Sequence, residues 1–288
     1  MVTTPLRERM RAILRARNYS PRTEETYITA VARFAQHYGK SPEALGTKEI
    51  EQYQIHLRDR RQISASMFNQ TISALKFLYK EVLGRKDEIE RIAFARRERR
   101  LPVVLSPEET IQFLQAIPKG RYQVLMITIY SAGLRLSEAL NLRGHDIDSA
   151  RMVIRIREGK GKKDRYVPLS PILLELLREH WRTEQLRDLL FPAEKDRNRP
   201  MDPATVQKYL KRISDKTGLR KKVSAKTLRH SYATHLIEQG TSTRVVQVLL
   251  GHSSVHTTEI YTHVSPKMLR KSTSPLDQVL ARIQSSPE

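Results

Sequence analysis

Apolar positions recur with a helical period through the first ninety residues. Tyr27, Val31, Phe34 and Tyr38 fall on one helix face, opened by Ser20 as an N-cap and Pro21 at the first helical position. A second stripe runs Ile50, Tyr53 and Ile55-His56-Leu57. A third runs Met67, Ile72, Leu75, Leu78 and Tyr79 and ends near Gly84. No alternating pattern interrupts them, so residues 1–90 predict a small helical domain. Arg58, Arg60 and Arg61 stand on its exposed faces. The run Arg91 to Arg100 follows, with Arg96, Arg97, Arg99 and Arg100 in close succession. It reads either as a solvated helix end or as a linker, residues 91–104, lying along a phosphate backbone.

A second domain, residues 105–288, opens with Ser106-Pro107-Glu108-Glu109, a capping box with proline at its first position. Helices are predicted through Ile117 and from Tyr122 to Ser131. The period then changes. Met152, Ile154 and Ile156 alternate with Val153, Arg155 and Arg157, and a second strand covers Arg165 to Leu169. Between them lies a turn rich in glycine and lysine, so the pair predicts a β-hairpin. Helices resume at Pro171, Pro203 and Lys226, with stop signals at Gly218 and Gly240. A tail, residues 265–288, carries a short apolar stripe of Leu276, Val279, Leu280 and Ile283.

Length agrees with two domains, because 288 residues exceed the roughly 250 at which one core stops growing. The chain has no cysteine. Disulfide scaffolds, iron–sulfur clusters, thiolate zinc sites and thiol nucleophiles are therefore excluded, and a reducing compartment fits. No secretory h-region opens the chain, and the apolar run Val124 to Tyr130 is too short for a bilayer, so a cytoplasmic protein without membrane contact is expected. Charge changes the picture most. Fifty-two Lys and Arg face 31 Asp and Glu, a net +21. Residues 1–100 hold 21 basic and 12 acidic side chains (+9), and the remainder 31 and 19 (+12). An excess spread over both halves suits a long polyanion, and double-stranded DNA is the ordinary one.

Candidate chemistry is confined to the second domain. The turn Gly159-Lys160-Gly161-Lys162-Lys163 lacks phosphate-loop spacing and leads into a strand, so it is no ATP site. Its three lysines read as a hairpin tip aimed at a nucleic-acid groove, or as a solvated turn. His252, His256 and His263 have no H-E-x-x-H frame and no acidic ligand cluster, so no metal is expected. Arg135 has Glu138 three positions on, the spacing of a structural pair. Arg229 lies at the edge of an apolar helical face with no following acid before Glu238, which makes a bound anion a candidate.

Five blocks together resemble one family. They are Ser131-Ala-Gly-Leu-Arg135-Leu-Ser-Glu138, Gly159-Lys160-Gly-Lys-Lys-Asp-Arg165, Thr227-Leu-Arg229-His-Ser-Tyr-Ala-Thr-His235, Leu250-Gly-His252 and Thr257-Thr-Glu-Ile-Tyr261-Thr-His-Val264. In order and spacing they are similar to the tyrosine recombinases, or phage integrases. The 69 positions between Lys160 and Arg229 leave no room for the long extra helix of integron integrases. Ser274-Pro-Leu-Asp277 resembles them nonetheless, so the chain is nearest the Xer-like and transposon-associated members.

The resemblance implies a mostly α fold with a small β-hairpin or sheet: a helical SAM-like core-binding domain, and an α+β catalytic domain, together clamping DNA. It implies site-specific recombination through a 3′-phosphotyrosyl intermediate and a Holliday junction, without metal, ATP or other cofactor. Tyr261 is then the nucleophile, Arg135, Arg229 and His252 the phosphate ligands, Lys160 the general acid, and Glu138 the support of Arg135. It further implies a homo-tetramer on DNA formed from free monomers, a tail that docks on its own domain or a neighbouring protomer, and room for accessory DNA-bending proteins. One position departs from the pattern. Lys226 stands where the family usually has histidine; lysine donates well, but its reference pKa near 10.4 handicaps it as a proton acceptor. A topoisomerase-like nicking–closing enzyme and a weakly catalytic DNA-binding regulator remain the competing readings.

Overall fold

The computed structural model describes residues 4–90, 92–96, 101–157, 164–252, 256–259 and 261. The chain divides into two compact units, residues 1–99 and 100–288.

The first unit is helical: α1 (Pro5–Ala16), α2 (Pro21–Tyr38), α3 (Thr47–Ile55), α4 (Ala65–Phe77) and the short α5 (Asp87–Glu90). Ser20 and Ser64 accept from the backbone N–H groups of Thr23 and Met67, capping α2 and α4 as their positions predict. Helices α3 and α4 each end in a widened turn, where Arg61 bonds back to His56 and Leu83 to Leu78. Met10, Leu14, Phe34, Ile50, Ile72, Leu75 and Leu78 form the core. Two stripe positions are out of phase with it. Ile55 is 59% and Met67 47% exposed. The buried series are instead Ile50, Tyr53, Leu57 and Phe68, Ile72, Leu75, which keep the three- and four-residue spacing. Buried Asn69 clamps the departing chain, donating to the Ala95 carbonyl (2.9 Å) and accepting from its N–H (2.7 Å). Arg58, Arg60, Arg61 and Arg96 are exposed on this unit. Arg97, Arg99 and Arg100 lie outside the described residues.

The second unit begins with α6 (Pro107–Ala116), capped by Ser106 and Glu109 as expected, and α7 (Arg121–Ala132). Gly133 ends α7 at φ 62°, and a Cβ there would lie 2.4 Å from the Tyr232 ring, so glycine answers both backbone and packing. The short α8 (Leu136–Leu140) follows. The sheet has three antiparallel strands rather than two: β1 (Ile147–Asp148), β2 (Val153–Ile156) and β3 (Arg165–Pro168), in that order. A two-residue strand shows no alternation, which is why β1 escaped the pattern. Met152, expected in the strand, sits instead in the preceding turn at φ 52°. Ile154 pairs with Val167 and Ile156 with Arg165, all facing inward. Helices α9 (Pro171–Thr183), α10 (Pro203–Lys216), α11 (Ala225–Glu238), α12 (Thr243–Leu250) and α13 (His256–Glu259) complete the unit. Its core joins α7, β2, β3, α9 and α10 through Leu125, Ile129, Ile154, Val167, Leu173 and Leu210. Lys160, Lys162, Lys163, His263 and the tail 265–288 lie outside the described residues. No described helix is long and apolar enough to cross a membrane.

Candidate active site

Glu138 is the centre of the charged cluster. Its place in the first turn of α8 lets Oε2 accept the Arg135 backbone N–H (2.8 Å), closing a capping box. The same carboxylate takes the Arg135 Nη1 at 2.5 Å and both terminal nitrogens of Arg165, at 3.0 and 2.7 Å. Arg229 Nη1 stands 3.5 Å away. The Glu138 side chain is only 6% exposed. Burial alone would raise its pKa, yet the Arg165 fork, with Arg135, holds it at about 2. Three guanidinium groups thus face one carboxylate, and among the described residues no second carboxylate pairs with them.

The end of α12 supplies the other partners. Arg165 Nε donates to the Leu249 carbonyl (2.8 Å), Arg229 Nη2 to that of Leu250 (2.6 Å) and Arg135 Nη2 to that of Gly251 (3.1 Å). Three consecutive carbonyls at a helix C-terminus, where the macrodipole is negative, each bind a different arginine. Gly251 is in the left-handed conformation, and a Cβ there would press on the Arg165 side chain at 3.1 Å. Arg229 Nη1 also donates to the Gly133 carbonyl (2.8 Å). No acid follows Arg229 on its own helix before Glu238, and the acid it faces, Glu138, comes from another helix. Burial, reinforced by Arg135, lowers the Arg229 guanidinium to about 10, still charged at neutral pH.

His252 connects the cluster to α13. Its Nε2 lies 3.3 Å from Arg229 Nη2 and its Nδ1 2.9 Å from Thr258 Oγ1. Arginine can only donate, so Nε2 accepts and Nδ1–H donates to the threonine. Burial, then Arg229 and Arg135, lowers this imidazole to about 4, so it is neutral. Tyr261 is 1% exposed, and its Oη lies 2.8 Å from Nδ1 of His230. Burial pushes the phenol up to about 12 despite the opposing pull of Arg229 and Arg135. His230, one residue after Arg229, is lowered to about 4 by burial, then by Lys226 and Arg229.

A cleft of about 480 Å³ gathers these groups: Arg135, Lys226, Arg229, His230, His252 and Tyr261 all line it. Of the residues marked in the sequence, Arg135, Lys226, Arg229, His252 and Tyr261 meet there, with Glu138 beneath the arginines. Arg58, Arg60, Arg61 and Arg96 belong to the other unit. Arg165 and His230 were not anticipated. The inward register of Arg165 with Val167 on β3 is a readable signal for the first; only its adjacency to Arg229 could have marked the second. Among the described residues no three His, Asp or Glu side chains converge as metal ligands would.

Residues 104–268 match the phage integrase family, and residues 6–89 match the phage integrase N-terminal SAM-like domain. A putative integrase/recombinase of Sinorhizobium fredii is 38% identical over 278 residues, 96% of this chain and 90% of that protein. The tyrosine recombinase XerA of Thermococcus onnurineus is 35% identical over 256 residues, 88% of each. Among solved structures, the XerH site-specific recombinase bound to its palindromic difH substrate, in a post-cleavage complex, is similar with a TM-score of 0.72. It is 27% identical, across 91% of this chain and 82% of that one.

Proposed function

The chain belongs to the phage integrase family, the tyrosine recombinases, and is a site-specific DNA recombinase; from that premise we propose that Tyr261 cuts and rejoins DNA through a 3′-phosphotyrosyl intermediate. The reading rests on one observation: two arginines, a histidine and a tyrosine from separate segments line a single cleft. Oη attacks phosphorus and the 5′-oxygen leaves. Arg135 and Arg229 bind the non-bridging oxygens, where negative charge grows in the transition state. Guanidinium suits that task because it is planar, permanently charged and already held in place, so little reorganisation is needed as the charge develops. Glu138 fixes the guanidinium groups. Lys226 adds charge at the rim. Once Arg229 engages the anion, His252 takes the other tautomer, with Nδ1 accepting from the Thr258 hydroxyl, and Nε2–H donates to the phosphate. Lys160 protonates the leaving oxygen. The tyrosyl ester conserves the bond energy, so religation needs no nucleotide.

Each tyrosine opens one strand, so exchange between two duplexes takes four. A homo-tetramer assembled on DNA from monomers, passing through a Holliday junction, follows from that count. Residues 1–90 serve as the core-binding domain, 91–104 as a linker along the phosphate backbone and 105–288 as the catalytic domain, clamping the duplex. Arg58, Arg60, Arg61, Arg96, Arg97, Arg99, Arg100, Lys162 and Lys163 neutralise phosphates. Their contribution is sequence-independent and salt-sensitive. A cytoplasmic, DNA-associated location fits this work.

The test is covalent trapping on nicked duplexes tiled from DNA flanking the coding sequence, without metal or nucleotide. The wild type should yield a slow-migrating protein–DNA adduct that Tyr261→Phe abolishes. An adduct that persists in Tyr261→Phe refutes the assignment.

A further inference from the structure

A phenol that burial holds at about 12 attacks poorly until its proton has somewhere to go. The described cleft offers few acceptors. Arg135 and Arg229 can only donate. His252 already spends both ring nitrogens, Nε2 on Arg229 and Nδ1 on Thr258. Glu138 is enclosed by arginines. Lys226, four positions before His230 on α11, is an exposed ammonium with no acceptor capacity while charged. Of the described ionisable groups that line the cleft one remains, and it touches the reacting atom: Nδ1 of His230, 2.8 Å from Oη of Tyr261.

We infer that His230 is the general base of this chain, accepting the Tyr261 proton as the phosphotyrosyl bond forms. The inference rests on the phosphotyrosyl reading above and deepens it. With its own proton on Nε2, the imidazole presents the Nδ1 lone pair to the phenol hydrogen. Four changes then balance. Tyr261 Oη bonds to phosphorus, the bond from phosphorus to the 5′-oxygen breaks, the phenol proton passes to Nδ1, and the 5′-oxygen leaves with the proton of Lys160. Religation runs the same steps backwards: the imidazolium returns its proton to Oη as the 5′-hydroxyl attacks.

Timing follows from the electrostatics. The phenol at about 12 and the imidazole at about 4 allow no free tyrosinate in the empty cleft. Transfer accompanies bond formation, when the tyrosyl oxygen becomes acidic. Apart from burial, the charges that depress the imidazole are Lys226 and Arg229. Both face the space a phosphate would fill. An arriving phosphodiester offsets those charges and raises the basicity of His230 where substrate is present. The resting state thus keeps the nucleophile protonated and buried, and DNA itself makes the acceptor competent.

Single-turnover adduct formation on the tiled nicked duplexes tests this, with Tyr261→Phe as the blank. His230→Asn keeps an acceptor near the position of Nδ1 but cannot carry the proton; His230→Ala opens room for added imidazole. Trp181 fluorescence verifies that both variants fold, and salt-dependent retention on the same duplexes verifies binding. Both variants should form adduct at least ~100-fold more slowly, the span expected of a positioned base. Free imidazoles should restore His230→Ala at rates that rise with their basicity. A duplex with sulfur in place of the scissile 5′-oxygen, whose leaving group needs no proton, should rescue Lys160→Ala but neither His230 variant. Wild-type rates in either variant, failure of imidazole to rescue His230→Ala, or rescue of a His230 variant by the 5′-thio duplex overturns the inference. Absence of adduct from the wild-type chain on every duplex instead removes the phosphotyrosyl reading, and this inference with it.

Discussion

Replacing Glu138 by glutamine preserves shape but leaves three guanidinium groups without their shared carboxylate. The folded carboxyl titrates at about 2 against an ordinary 4.5. At 1.36 kcal/mol per unit, that gap is worth roughly 3 kcal/mol of stability. Breaking a buried ion pair by removing one partner costs about 3–5 kcal/mol, so the two estimates meet near 3. The sign is set by the direction of the shift. A depressed carboxyl stabilises the fold above its unfolded value and loses that contribution as pH falls from about 4.5 through 2. The chain has one tryptophan, Trp181 on α9, against Gly144 in the second unit, so its fluorescence follows that unit alone. In urea titrations Glu138→Gln should be less stable than wild type by roughly 3 kcal/mol at pH 7. The difference should shrink steadily on acidification below pH 4.5. A deficit under about 1 kcal/mol at pH 7, the range of an exposed pair, would refute the argument. So would a deficit that is independent of pH.

Two further outcomes follow from the same geometry. The imidazoles of His230 and His252, both near 4, should stay neutral down to about pH 5 in DNA-free protein; a nitrogen-15 titration with either midpoint near 6.5 would contradict their burial beside arginines. Their stabilising contribution is present above the ordinary histidine value and fades as pH falls towards 4. Gly133→Ala combines a left-handed backbone with a Cβ 2.4 Å from the Tyr232 ring. It should cost at least about 2 kcal/mol and lower the Trp181-detected Tm by about 4–8 °C, and an unchanged Tm would show that Tyr232 yields without strain.

The helices were legible because their starts carry chemistry of their own: Ser20, Ser106, Ser170 and Asp202 each precede a proline and cap a helix. The hairpin was legible because Ile154 and Ile156 must face inward while Arg155 and Arg157 do not. Long-range pairing was not. Glu138 and Arg165 are 27 positions apart, and no local period announces that a helix turn and a strand end will meet. The same holds for the contact of His230 with Tyr261, 31 positions away. Arg229 was recognised as a charge near a core, but its carbonyl partners at Gly133 and Leu250 are main-chain atoms, which side-chain identity does not record. Ile55 and Met67 stand on the apolar stripes because they are apolar, yet Leu57 of the same stripe and Phe68 beside Met67 hold the buried phase.

The three carbonyls of Leu249, Leu250 and Gly251 have a consequence for how the site tolerates genetic change. A main-chain oxygen survives every substitution of its own residue, so these anchors cannot be deleted by a point mutation at those codons. Position 249, whose leucine packs half-buried against the core, can change its side chain without removing the carbonyl that holds Arg165. Position 250 is limited by the core it fills, and position 251 by the arginine that crosses it. Variation should therefore concentrate unevenly along one helical turn, with vulnerability lodged in Glu138, the described carboxylate that the three arginines share and that a codon change can erase.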